Sequence, residues 1–134
     1  MNTFYYNATE IIILLFLIIT FLQSGFDKIT DWNGNISWLK EHFSATPFKN
    51  IVPLLVGIIL VTEVVSGVLC SVGIYEMLTS GGRNIAFNGA ILSAITLLML
   101  LFGQRIAKDY EGAKTIAVYF IPTVILLFLL QVHK

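Results

Sequence analysis

Charge is scarce in this chain. Of its 134 residues, 12% are Asp, Glu, Lys or Arg, against about 25% in an ordinary soluble domain. So few charges cannot coat a water-soluble globule, which argues against a cytosolic enzyme. Charge of one sign is missing as well: eight Lys+Arg balance eight Asp+Glu. Without a broad basic field no nucleic-acid partner is expected. A lone cysteine, Cys70, excludes an intrachain disulfide, a Cys-x-x-Cys redox pair and a thiolate metal cluster. His42 and His133 lie far apart with no second ligand at metal spacing, so no metal site is expected. Gly81-Gly82-Arg83-Asn84 is not a phosphate-binding loop, and no Walker or dinucleotide motif occurs elsewhere.

What the chain has is hydrocarbon: 57% of residues are hydrophobic. The charges lie outside four long apolar runs or in their first turn, with one exception. The runs cover about Ala8 to Phe26, Ile51 to Ile74, Asn84 to Phe102 and Ala113 to Val132. Each is close to the roughly 20 helical residues that cross a hydrocarbon core of about 30 Å. In lipid the backbone must satisfy its own polar groups, so the runs are read as helices. The first run is read as a spanning helix and not a leader, because Met1 to Glu10 holds no Lys or Arg. The fold expected is an all-α, integral-membrane four-helix bundle forming a single domain over residues 1–134.

Local signals refine the picture. Asn7 followed by Glu10 resembles a capping box, Pro53 suits a first helical turn, Gly103 suits a C-cap, and Pro122 predicts a kink. In the first loop, Trp32, Ile36, Leu39 and Phe43 recur at helical spacing, predicting an amphipathic helix over about 32–43 that lies in the membrane interface. It reads as an anchor, or alternatively as a lid over a site between the helices. Lys28, Lys40, Lys49, Arg105, Lys108 and Lys114 fall in the first and third loops; Arg83 and Lys134 fall on the other side. That bias places the two loops in the cytoplasm and both termini outside.

Glu63 is the exception among the charges. An acid at the centre of a spanning helix is costly and is a functional candidate by default. Ser66, Gly67, Cys70 and Gly73 continue its face of the helix, and Ala86, Gly89, Ala90 and Ser93 form a matching small-residue stripe on the third run. The second and third runs are therefore expected to pack as a tight hairpin around Gly81-Gly82. Counting inward from the first and third loops ranks Thr20, Ser93 and Thr123 as hydroxyl partners for Glu63. No cation occupies that level, so a neutral Glu63 at pH 7 is expected unless Lys28 or Arg105 reaches inward. Lys28, Arg105, Asp27 and Asp109 gather at one membrane surface as a candidate head-group site. Arg83, Asn84 and Asn88 are candidates for interhelical hydrogen bonds at the other.

Ser24-Gly25-x-x-Lys28, Pro53 and Glu63 with Gly67 and Gly73, and Gly103-Gln104-Arg105, in that order across about Leu14 to Leu130, resemble the DoxX family of small bacterial membrane proteins. The resemblance implies a four-helix bundle of the bacterial inner membrane, associated with quinone-linked sulfur oxidation or with redox maturation. Three functions follow as expectations. The first is a non-catalytic accessory subunit that binds a partner, a larger complex, a second copy or a lipidic molecule, with no cofactor of its own. The second is a quinone-linked redox subunit with Glu63 as proton acceptor. The third is a small proton-coupled transporter.

Overall fold

The structure, a computed structural model, describes residues 5–132; His133 and Lys134 lie outside the described residues. It is all-helical: α1 (Ala8–Thr30), α2 (Trp32–His42), α3 (Val52–Thr79), α4 (Asn84–Ile106) and α5 (Tyr110–Val132). Four of them, α1, α3, α4 and α5, are long and apolar enough to cross a membrane. The chain has the build of a multi-pass membrane protein. Its outward faces carry large apolar side chains such as Ile12, Ile19, Leu54, Val61, Ile121 and Phe128, the inverse of a soluble surface.

The core is a column along the bundle axis. Leu14, Leu17 and Phe21 of α1 meet Cys70 and Met77 of α3, Ala86, Ala90 and Leu97 of α4, and Leu126 and Leu130 of α5. Small residues set how closely the helices approach. A Cβ on Gly73 would sit 2.6 Å from Ala86 Cα, and one on Gly89 would sit 3.0 Å from Cys70 N, so α3 and α4 touch backbone to backbone. The reversal between them uses Gly81 at φ +76°, a left-handed conformation that glycine adopts without strain. Gly67 faces α1 instead, against Leu22, so one small-residue stripe serves two neighbours.

Helix ends depart from the expected ones. Asn7 occupies the N-cap of α1 without making a side-chain cap bond; the capping box does not form, because both of its side chains are engaged elsewhere. Gly103 does not end α4, which runs on to Ile106. Lys108 makes the stop at φ 59°, with Asp109 N bonded to Gln104 O at 2.8 Å. Pro53 sits in the first turn of α3 as expected, and α5 continues through Pro122 as a single helix.

The helix α2 lies where the first loop predicts one, but its apolar stripe faces protein. Ile36 is buried against Val52 and Val56 at the start of α3, flanked by Trp32, Leu39 and Phe43. This docking explains the length of α3. Its 28 residues make about 42 Å of helix at 1.5 Å per residue, more than a hydrocarbon core requires, and the surplus at its start supports α2.

Candidate functional site

Glu63 is 2% exposed, and Lys28 Nζ lies 3.0 Å from its Oε1. The expectation that no cation lies level with Glu63 is thus corrected: Lys28 reaches inward from the last turn of α1. Helix geometry brings the two together. Side chains lean toward the N-terminus of their own helix, so Lys28 leans down α1 into the bundle while Glu63 leans up α3 toward the same surface. Lys28 Nζ also donates to Ser24 Oγ at 2.7 Å, one turn back. The approach to Glu63 Oε1 is close but poorly aligned, and that oxygen has no aligned donor. Ser66 Oγ, one turn further along α3, is likewise buried without a hydrogen-bond partner.

The hydroxyls ranked as partners go elsewhere. Ser93 donates to Gly89 O at 2.7 Å and faces Cys70 Sγ at 3.8 Å. Thr123 donates to Tyr119 O at 3.0 Å. Thr20 is half-buried, with Glu63 well past it along α1. The reason is register. Gly25 packs on Val64 and Leu60, which sets Glu63 level with Ser24 and Gly25, more than a turn nearer the surface than Thr20. Continuing the Gly73–Ala86 and Cys70–Gly89 register brings Thr96, not Ser93, level with Glu63. Thr96 is fully buried and donates to Leu92 O at 2.8 Å; no local signal in the sequence distinguishes it.

Among the described residues no ion pair joins Lys28, Arg105, Asp27 and Asp109 to one another. Lys28 turns inward and Asp27 stays exposed. Arg105 lies over the Tyr110 ring at 5.5 Å, a cation–π contact at the surface. Asp109 caps α5 by accepting from Gly112 N at 3.0 Å, and its other oxygen lies 3.5 Å from His42 Nε2.

A cavity of about 520 Å³ lies under α2. Val52, Val56 and Ile59 of α3 form one wall, Ile95, Leu98 and Phe102 of α4 the other, and Trp38, Leu39 and Phe43 of α2 the roof. Among the described residues its polar lining comes from Lys28, His42 and Gln104, with the indole of Trp38. Trp38 stacks on His42 with ring centroids 4.7 Å apart, and the Asp109 contact ties that pair to the turn before α5. The volume is in the range of small-molecule sites, which are mostly apolar with a few convergent polar groups. Ile58, Ile95, Leu98 and Phe102 are also exposed on the outer face of the bundle, so the cavity opens sideways toward the lipid phase.

A second buried ion pair lies at the opposite end. Arg83 donates to Asn7 Oδ1 and to Glu10 Oε2, with Glu10 and Asn7 almost fully buried. Asn84 and Asn88, expected to bond between helices, are both exposed; Arg83 makes the interhelical contact in their place. Glu76 Oε1 accepts from Ile85 N at 3.2 Å and closes the first turn of α4. Replacing Arg83 with lysine should cost about 1–2 kcal/mol, because one ammonium cannot span Asn7 and Glu10 as the guanidinium fork does. The thermal unfolding midpoint in mild detergent reads this out; an unchanged midpoint would show that the fork is not used.

No family model matches the chain, and no curated protein or solved structure matches it.

Proposed function

We propose that this chain is a small accessory subunit of the bacterial inner membrane, of the DoxX type that its sequence resembles, and that it holds a lipidic molecule under α2. The observation that carries this reading is the cavity itself: apolar on nearly every side, open toward lipid, roofed by an amphipathic helix, with its few polar groups at Lys28, His42 and Gln104. That arrangement suits a molecule with a hydrocarbon tail and one polar end, and it favours the lid over the simple anchor as the role of α2. The lysine bias of the first and third loops supports a cytoplasmic location for the cavity mouth.

A quinone-linked role is the second reading, and the Lys28–Glu63 pair beside the cavity favours it. A quinone takes up protons on reduction, and a carboxylate held near its head group is a natural acceptor or donor for them. The chain would then act within a larger complex that supplies the electron carrier.

Gentle purification from native membranes, followed by mass spectrometry of the lipid and protein fractions, tests both readings. The expected result is one lipidic species near stoichiometry with the protein. Leu98→Trp, at a half-exposed wall position, should fill the cavity and lower the bound amount at least fivefold without unfolding the bundle. Retention by the variant at the wild-type level would count against the cavity. A polypeptide at stoichiometry with no lipid would leave only the partner-binding role, and a quinone would select the second reading.

A further inference from the structure

We infer that the cavity selects a lipid whose head group is uncharged and accepts hydrogen bonds, such as an ester carbonyl or a hydroxyl, with Lys28 as the donor. The inference rests on the lipid-binding reading and specifies its ligand. It follows from the acids that already face the basic groups around the cavity. The Lys28 ammonium faces Glu63 at 3.0 Å, and His42 faces Asp109 at 3.5 Å. Among the described residues no other Asp, Glu, Lys, Arg or His side chain lines the space. A phosphate, sulfate or carboxylate head would add a charge with no counter-ion left to meet it, in surroundings that penalise unpaired charge.

Lys28 nevertheless keeps hydrogen-bonding capacity. An ammonium has three N–H groups. One goes to Ser24 Oγ at 2.7 Å; the Glu63 carboxylate lies 3.0 Å away without an aligned N–H, which leaves donor capacity for an acceptor in the cavity that Lys28 lines. The pair is thus arranged as a neutral donor.

Trp38 lines the cavity and reports occupancy. In a Trp32→Phe background it is the only tryptophan, and lipids with dibrominated tails quench it on contact. Full-length protein in detergent would be titrated with a dibromostearoyl glycerol and with the same dibrominated chain carrying a sulfate head. The glycerol ester should give saturable quenching with an apparent Kd at least tenfold lower than the sulfate. Lys28→Met/Glu63→Gln removes both charges together, so neither is left unpaired. That variant should still bind the tail, with the preference reduced to less than threefold. Equal or tighter binding of the sulfate by the parent protein would overturn the inference while leaving lipid occupancy intact. Absence of saturable quenching by either probe would overturn both. A full preference in the double variant would show that Lys28 does not read the head group. The comparison of the two probes on the parent protein stands whether or not the double variant folds.

Discussion

Lys28→Met is expected to destabilise the bundle by about 3–5 kcal/mol, the cost of stripping one partner from a buried ion pair. Methionine keeps the length and apolar stem of lysine but leaves Glu63, 2% exposed, facing hydrocarbon and an alkyl side chain. The reverse change should cost less. Glu63→Gln leaves a lysine in the last turn of α1, which can extend toward the head groups and recover solvation. The double variant should regain most of the loss, because no unpaired charge remains. Denaturation midpoints of the four proteins in detergent form a double-mutant cycle. Strict additivity of the two single changes would show that Lys28 and Glu63 do not interact in the folded protein.

Gly73→Leu is expected to cost about 3 kcal/mol by forcing α3 and α4 apart, at the upper end of ordinary overpacking. A Cβ there would lie 2.6 Å from Ala86 Cα and 2.8 Å from Ala86 N. Those neighbours are backbone, and a Cβ has no rotamer by which to avoid them. Gly57, half-buried in the second turn of α3, provides the internal control: a Cβ there meets nothing within 4 Å, and replacing a glycine inside a helix generally improves helix propensity by up to about 1 kcal/mol. Gly57→Leu should therefore be neutral or stabilising. Equal stability of the two variants would mean that α3 and α4 do not close at Gly73.

The contrast between these two glycines also shows what the amino-acid pattern could carry. Long apolar runs and the Trp32–Phe43 periodicity are local properties, and they placed the spanning helices and α2 within a few residues of their observed positions. The small-residue stripe named the faces of α3 and α4 that meet. It did not say that Gly67 turns to α1, because that depends on the angle at which three helices cross. Glu63 stood out for its position among apolar residues, while its partner did not. Depth counted from helix ends assumed that α1 and α3 start level. In the bundle α3 projects past α1 to support α2, and that stagger, invisible along either helix alone, moved Lys28 within reach of Glu63 and Thr20 out of it. The Asn7–Glu10–Arg83 contact was missed for a related reason. Asn7 and Glu10 satisfied a local capping rule, and the competing guanidinium comes from a turn more than seventy residues away.

The two ion pairs share one helix: Glu10 and Lys28 both belong to α1, and both of their partners arrive later in the chain. That order bears on biogenesis. When α3 leaves the ribosome, its acid faces a penalty of about 2.5–3.5 kcal/mol for entering the bilayer core on insertion scales. α1 precedes α3 in the chain, so Lys28 is made before the acid it faces. The first helix thus carries the partner of the acid in the second spanning segment and, at its far end in Glu10, the partner of Arg83. Removing Lys28 would then be felt during synthesis, as a fraction of chains in which α3 fails to cross, before it was felt as a loss of stability in the finished protein.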